Sequence, residues 1–137
     1  LFSTSEEYGY TDGLGIIEGT VESFSKHEGI ARIPHTGWNR IRKRKNIEPG
    51  VVTYDPLKEV SDGEHFYFVH SFYVVPDRES DIYTLTEYSG LEFCSSILRD
   101  NLFACQFHPE KSGAKGLHIL TGFLARVASN LKHNVSS

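Results

Sequence analysis

The residues His108 and Glu110 have the types and spacing of a catalytic pair. They follow an apolar run over residues 102–107, which predicts a strand, and Pro109 between them would end its ladder because proline has no N–H. Side chains two positions apart on a strand point to one side, so the imidazole and the carboxylate are expected to meet. Such a pair supplies two of the three members of a nucleophilic triad. A polar pair that merely closes a strand is the alternative.

The third member of a triad, the nucleophile, is not evident in this chain. Cys105 lies three residues before His108, but the strand period places it on the face of Phe107, opposite to His108. A nucleophilic cysteine also needs a helix N-terminus or a sharp turn whose amides bind the oxyanion. Cys105 and Cys94 lie in apolar contexts without Cys-x-x-Cys spacing, so both are predicted to be buried free thiols.

Two further groups of residues could bind ligands. His35, His65, His70 and His108 have neither the helical spacing nor the cysteine partners of zinc sites, so no metal and no cofactor is expected. The basic run over residues 40–45 has no interleaved aromatic residues, and it predicts a solvated loop or hairpin edge. A patch for an anionic ligand or partner is the alternative for this run.

Composition limits the classes of function. The 137 residues predict a single domain, 1–137, and the apolar share of 39% is typical of a packed core. A net charge of −4 provides no field that would attract nucleic acid or anionic lipid. No apolar run has membrane-spanning length and the N-terminus has no basic flank, so we expect a cytoplasmic protein.

The hydrophobic pattern predicts several strands before one long helix. Residues 1–7 read as the tail of a helix, and residues 65–75 read as one central strand covered on both faces. Further strands are predicted over residues 14–24, 37–41, 81–88, 92–98 and 102–107. Residues 99–101 form a predicted hairpin turn, and an apolar stripe over residues 117–131 predicts the helix. This order predicts a sheet covered by helix on at least one face.

Three segments together resemble the glutaminase subunit of imidazole glycerol phosphate synthase, a class I glutamine amidotransferase. Residues 34–39 read PHTGWN and resemble the family's PHxGWN, and residues 67–72 read YFVHSF and resemble YFVHSY. Residues 106–117 resemble QFHPEKSGxxGL. On chemistry alone, the segment around the only tryptophan, Trp38, fits a contact surface and a core position equally well, and the resemblance favours the contact surface.

The resemblance implies a fold and a site. The fold would be α/β, α+β-like as truncated, with a mixed, largely antiparallel sheet and a C-terminal helix, as a partial class I glutamine amidotransferase domain. The residues carried over are His108 as general base, Glu110 as its orienting carboxylate, the glutamine-pocket residues His70, Ser71 and Phe72, and the partner-interface residues Trp38, Asn39, Tyr67 and Lys111. Phe72 stands where the family usually has tyrosine, and Thr36 where it usually has methionine.

The same resemblance implies a reaction and its partners. The family hydrolyses glutamine through a cysteine thioester and passes ammonia to a (βα)₈-barrel synthase subunit. Its nucleophilic cysteine immediately precedes the Leu-Phe that Leu1 and Phe2 match, and the chain contains no methionine, so we expect the C-terminal part of a longer domain that is inactive alone. Two alternatives stay open. The chain could be an autonomous, non-catalytic binding or assembly module that forms a homodimer or larger homo-oligomer, or a second polypeptide could complete the site.

Overall fold

A sheet of eight strands forms the body of the chain. The computed structural model describes residues 1–44 and 54–135. The strands are β1 (Phe2–Ser5), β2 (Thr11–Asp12), β3 (Ile17–Ser23), β4 (His35–Arg40), β5 (Arg42–Lys43), β6 (His65–His70), β7 (Phe72–Pro76), β8 (Ile82–Tyr88), β9 (Leu91–Arg99) and β10 (Leu102–Cys105). One long helix, α1 (Gly113–Val135), ends the described part, and short 3₁₀ helices lie at Phe24–Lys26, Glu79–Asp81 and Pro109–Lys111.

The sheet is mixed and largely antiparallel. Its strand order is β2-β1-β3-β7-β9-β8-β5, with β10 paired to β9, while β4 and β6 form a separate two-stranded sheet. Among the described strands only β1 and β3 pair in parallel. The predicted fold class, a mixed sheet with a C-terminal helix, is thereby confirmed. The hairpin prediction is also confirmed, since Asp100 adopts a φ of 53° and Leu102 pairs with Arg99.

The prediction of a helix tail at residues 1–7 is wrong, because this segment forms strand β1. Phe2 pairs with Ile17 of β3, and both side chains are buried in one hydrophobic cluster. On the other edge of β1, Thr4 and Ser5 pair with β2. Burial of Phe2 against the sheet outweighs the local helix signal of the acidic residues that follow.

The prediction of one continuous strand over residues 65–75 is also wrong. The chain leaves the small sheet at His70 and enters the main sheet at Phe72, so Ser71 separates β6 from β7. The side-chain alternation changes at this break, since Phe68 and Tyr73 lie in the same core cluster although they are five positions apart. Val69 on the outer face of β6 is 38% exposed, so this strand is covered on one side only.

Two hydrophobic clusters pack on opposite faces of the main sheet. The larger cluster contains Phe24, Ile41, Leu57, Val60, Phe66, Phe68, Tyr73, Tyr83, Phe93, Leu98, Phe107 and Ile119. The smaller cluster contains Phe2, Ile17, Cys94 and Ile97. In β10, Ala104 packs on the smaller cluster and Cys105 on the larger, as the predicted alternation requires.

Helix α1 forms as the apolar stripe predicts, but the stripe does not cover the sheet. Among the large apolar side chains of α1 whose exposure the structure describes, Ile119 is the one that is buried, at 3% exposure. The stripe itself is exposed at Leu117, Leu120, Phe123, Leu124 and Val127. The contacts of α1 are concentrated on the 3₁₀ helix Pro109–Lys111. The helix therefore packs mainly on the His108 segment, and Ile119 alone of these side chains joins the larger core cluster.

Candidate active site

His108 lies just beyond the end of β10, where the sheet ladder stops. The Gln106 N–H still donates to the Ser95 carbonyl at 2.9 Å, and Phe107 is anchored in the larger core cluster. Pro109 then begins a 3₁₀ helix, because it lacks the N–H needed to continue the ladder. The sequence therefore places the imidazole at the boundary between a fixed strand and a helical turn.

The imidazole of His108 and the carboxylate of Glu110 are hydrogen-bonded. His108 Nδ1 lies 2.8 Å from Glu110 Oε1, and a carboxylate oxygen only accepts, so Nδ1 carries the proton. This leaves the Nε2 lone pair of the neutral ring available as a base. A hydrogen bond from the backbone, followed by the one from His108, lowers the pKa of Glu110, which keeps this carboxylate ionised. The strand prediction thus gave the right contact, although a 3₁₀ turn forms it.

The backbone of His108 is clamped on both sides. Its N–H donates to the Tyr67 carbonyl of β6 at 2.8 Å, and its carbonyl accepts from the Ser112 hydroxyl at 2.6 Å. The same hydroxyl oxygen accepts from the Tyr67 N–H at 3.0 Å. Ser112 is 4% exposed, so this clamp is shielded from water. A Cβ on Gly116 would lie 1.9 Å from the Pro109 carbonyl oxygen, so a residue without a side chain lets α1 approach the turn.

The predicted glutamine-pocket residues lie at the break between β6 and β7. His70 Nδ1 is 2.7 Å from the carbonyl of Phe72, and His70 Nε2 is 2.9 Å from Nδ1 of His35. Both ring nitrogens of His70 therefore have protein partners. Burial lowers the pKa of His70 to about 4, with a further contribution from the charge of His108. His70 is therefore neutral at pH 7.

Sequence reasoning missed the role of His35. This residue pairs directly opposite His70 in the β4–β6 ladder, and its ring stacks on Tyr88 with centroids 4.1 Å apart. Asn39 Nδ2 lies 3.2 Å from His35 Nε2. Burial, with a smaller contribution from His70, lowers the pKa of His35 to about 4. The only sequence signal was the alternation that places His35 and Asn39 on one face of β4.

Three of the four predicted interface residues lie together on the surface. Trp38 is 57% exposed, which excludes a core position, and its ring lies edge-on to Tyr67 at 6.1 Å. Lys111 Nζ lies 5.7 Å from the centroid of the Tyr67 ring, within range of a cation–π contact. The side chain of Asn39 points the other way, towards His35 and the carbonyl of Glu87.

Both cysteines are free thiols. Cys94 is 5% exposed and lies in the smaller core cluster. Burial raises the pKa of each thiol to about 12. The Cys105 thiol donates to the Phe107 carbonyl at 3.4 Å, and the ionised Glu110 raises its pKa further. The prediction of buried free thiols is confirmed for Cys94, and Cys105 is partly buried.

Within residues 1–44 and 54–135, no group of three or more His, Cys, Asp or Glu side chains is arranged to hold a metal ion.

In the basic run at residues 40–45, the side chains that the structure describes are paired with hydrogen-bond acceptors. Arg42 pairs with Glu92, and Arg44 pairs with Glu79 at 3.0 Å. The predicted basic cluster also included Lys45, which lies outside the described residues.

In the described part of the chain, no helix is long and apolar enough to cross a membrane.

The chain is similar to proteins of a known family. A family model described as glutamine amidotransferase class-I matches residues 17–127. Proteins named imidazole glycerol phosphate synthase subunit HisH are similar over most of the chain. The one from Moorella thermoacetica is 46% identical over 97% of this chain and 59% of its own length. The one from Acinetobacter baylyi is 42% identical over 90% of this chain and 57% of its own length. The chain therefore spans less than two thirds of these relatives.

Proposed function

The chain belongs to the class I glutamine amidotransferase family, and from that membership we propose that it forms part of a glutaminase. In this proposal glutamine is hydrolysed to glutamate and ammonia. The ammonia passes to a (βα)₈-barrel synthase subunit that makes imidazole glycerol phosphate, since the relatives carry the name of that synthase. Residues 1–137 would form one part of a single amidotransferase domain.

The observation that carries this proposal is the hydrogen bond from His108 to Glu110. With its proton on Nδ1, His108 can take the proton of a thiol at Nε2 and later give it to the departing ammonia. The ionised Glu110 stabilises the imidazolium that forms between these two steps. Attack of the thiolate on the amide carbon yields a thioester, and water activated by the same histidine then releases glutamate.

We propose that the nucleophile is neither Cys94 nor Cys105. In the family the nucleophilic cysteine immediately precedes the Leu-Phe pair that Leu1 and Phe2 match. Leu1, Phe2 and Gln106 line the same cavity of about 250 Å³, and Gln106 is two residues from His108. A thiol held just before Leu1 would therefore lie near the cavity that Gln106 also lines.

The partner-facing surface in this proposal consists of Trp38, Tyr67 and Lys111. The cluster offers an exposed tryptophan beside a tyrosine, two residue types enriched at binding hot spots, and Lys111 lies over the tyrosine ring. Tyr67 also bonds through its backbone to His108 and Ser112. A synthase subunit docked on this cluster would therefore contact the strand that clamps the catalytic histidine.

Complementation tests the proposed function. The purified chain is mixed with a separate polypeptide carrying the part of the Moorella thermoacetica relative that lies outside the match. We expect glutamate to form in the mixture, with a thioester on the added polypeptide. His108→Ala in the 137-residue chain is expected to lower this rate by at least about 10²-fold, because a positioned base contributes roughly 10²–10⁴-fold.

The control for this experiment is Thr121→Ala, an exposed position on α1 away from the site. It is expected to support the same rate as the unchanged chain. A mixture that forms a stable complex but releases glutamate equally well with His108→Ala would contradict the assignment of His108 as general base.

The exposed apolar stripe of α1 favours a second candidate function, a non-catalytic assembly module. Five large apolar side chains of this helix are between 38% and 64% exposed, with Leu124 the most exposed of them. Contiguous apolar surface of this kind marks interaction sites in soluble proteins. We propose that two copies of the chain cover the stripe by self-association.

Light scattering tests this self-association. The chain is expected to form dimers or larger species, and Leu124→Glu is expected to weaken them because it places a charge on the stripe. Thr121→Glu adds the same charge to the same helix at an exposed polar position and serves as the control. A monodisperse monomer across the concentration range would count against the assembly module.

A further inference from the structure

The ladder between β4 and β6 places two histidines in direct contact inside the protein. His35 and His70 are cross-strand partners, so their side chains lie on the same face. Nδ1 of His35 lies 2.9 Å from Nε2 of His70. Two imidazoles at this distance share one proton between the facing nitrogens, so one ring must donate and the other must accept.

The direction of this chain of hydrogen bonds follows from its two ends. At one end the Phe72 carbonyl can only accept, so His70 carries its proton on Nδ1, 2.7 Å away. A neutral His70 then has a lone pair on Nε2, and His35 must donate to it from Nδ1. His35 in turn has its lone pair on Nε2, which needs a donor.

Asn39 supplies that donor at the other end. Its Oδ1 accepts from the Arg40 N–H at 2.7 Å, and its Nδ2 donates to the Glu87 carbonyl at 2.8 Å. These two backbone partners fix the orientation of the amide independently of the histidines. The second proton on Nδ2 therefore points to His35 Nε2, 3.2 Å away. Each donor along the chain has an acceptor, and none of the assignments conflicts.

The surroundings of His35 exclude a charged ring at neutral pH. The imidazole lies between Phe68 and Tyr88, with centroid distances of 4.9 Å and 4.1 Å and interplanar angles below 30°. It is 3% exposed, so the cation would lose its hydration. The lowered pKa of both histidines agrees with two neutral rings.

We propose that Asn39 and His35 are positioning residues that fix the tautomer of His70 and thereby hold the backbone at Ser71 and Phe72. This inference rests on the proposed function for the meaning of that segment as a glutamine site. The Phe72 carbonyl is held by His70 from one side, and the Ser71 carbonyl accepts from the Phe24 N–H at 3.1 Å from the other. The chain is thereby fixed at the residue where it passes from one sheet to the other.

The two hydrogen bonds of the His70 ring also determine the role of His70 itself. Both of its nitrogens are engaged, one by Phe72 and one by His35, so its ring has no N–H left for a ligand. His70 acts on a bound substrate through the backbone that it holds. In this assignment it is a positioning residue, and contact with the substrate falls to the Ser71–Phe72 segment.

Nitrogen-15 spectra of the imidazoles test the inference on the unchanged chain. Long-range proton–nitrogen correlations distinguish a protonated from an unprotonated ring nitrogen, and both His35 and His70 are expected to be protonated on Nδ1 alone at pH 7.5. A neutral histidine in water favours the proton on Nε2, so this result would not arise from exposed rings. An Nε2–H form at either residue would overturn the proposal.

The variant His35→Phe isolates the contribution of His35. A phenyl ring keeps the stack between Phe68 and Tyr88 but removes the donor to His70. We expect the Nε2–H form of His70 to rise several-fold and the Ser71 and Phe72 amide signals to shift. Thr36→Ala, on the exposed face of the same strand, is the matched control and is expected to leave the His70 tautomer unchanged. A His70 that stays fully protonated on Nδ1 in His35→Phe would overturn the positioning role.

A titration with L-glutamine separates this inference from the proposed function. Shifts of the Ser71 and Phe72 amides in the unchanged chain, weakened in His35→Phe, would support both. Equal glutamine affinity in the two proteins would overturn the positioning of a glutamine site by His35. Correct tautomers without any glutamine shift would count against the glutamine site and leave the control of the backbone by Asn39 and His35 supported.

Discussion

The purified chain is expected to release no glutamate from glutamine, because neither of its thiols is ionised at neutral pH. A thiolate is required to attack the amide, and burial raises the pKa of Cys94 and Cys105 to about 12. At pH 7 a thiol with that pKa is ionised in roughly one molecule in 10⁵, whereas an ordinary cysteine is ionised in a few per cent. The expected rate of glutamine hydrolysis is therefore the uncatalysed rate measured in buffer alone.

The positions of the two thiols lead to the same expectation. Cys105 packs on the larger core cluster, and its thiol donates to the carbonyl of Phe107 rather than to His108. Cys94 lies in the smaller cluster and donates to the carbonyl of Ser96 at 3.3 Å. Neither thiol is hydrogen-bonded to the imidazole that would have to take its proton.

The measurement is glutamate release by the purified chain, with mass spectrometry for a thioester. Cys94→Ser and Cys105→Ser are the matched controls, since each removes one thiol while keeping a small polar side chain. Turnover that His108→Ala abolishes, and that one of the serine variants also abolishes, would show that a core cysteine acts as nucleophile. It would also show that its thiol reaches a conformation different from the buried one.

The local part of the site could be predicted from the sequence, because its partners are close along the chain. His108 and Glu110 are two residues apart, and Pro109 between them dictates the end of the ladder whatever the rest of the fold does. The hairpin at Asp100 was predictable for the same reason, since Asp tolerates the positive φ that the turn requires.

The non-local part of the site could not be predicted in this way. The contact between His35 and His70 depends on the register of β4 against β6, which are far apart in the sequence. The break at Ser71 was also hidden, because residues on both sides of it are apolar and β-prone. A change of sheet leaves no local signal when the strands before and after it both bury aromatic side chains.

The surface against which α1 packs could not be predicted from the sequence either. The spacing of Leu117, Leu120 and Leu124 predicts a helix with an apolar face, and the helix forms. The spacing does not determine which surface the apolar face contacts, since any apolar partner can cover it. The helix instead packs through Gly116 and Ile119, and the small residue sets the distance to the Pro109 carbonyl.

Acidification below about pH 6.5 is expected to destabilise the chain, because two neutral histidines are part of the folded structure. The pKa of His35 and of His70 is about 4 in the folded chain, whereas an unfolded histidine has a pKa of about 6.5. Between these values the unfolded state binds more protons than the folded state. The free energy of unfolding is therefore unaffected above pH 7 and falls as the pH drops from about 6.5 to about 4.

The size of this effect follows from the same two pKa values. By pH 5 each histidine is expected to lower the free energy of unfolding by about 2 kcal/mol, so that the pair lowers it by at most about 4 kcal/mol. A loss of this size is a large fraction of the 5–15 kcal/mol typical of a folded domain. The lowered pKa of Glu110 also stabilises the folded state, and this contribution is lost as the pH falls below the ordinary value of 4.5, so most of it is retained at pH 5.

Urea unfolding at pH 7.5, 6.0 and 5.0 measures the effect, and His35→Phe provides the comparison. The variant keeps an aromatic ring between Phe68 and Tyr88 but cannot be protonated, so its loss of stability between pH 7.5 and pH 5.0 is expected to be smaller by about 2 kcal/mol. His118→Phe, which removes an exposed histidine of α1, is expected to leave the loss unchanged. Parallel pH profiles for the unchanged chain and His35→Phe would mean that His35 is not held as a buried neutral ring, and the chain of hydrogen bonds from Asn39 to Phe72 would lose its physical basis.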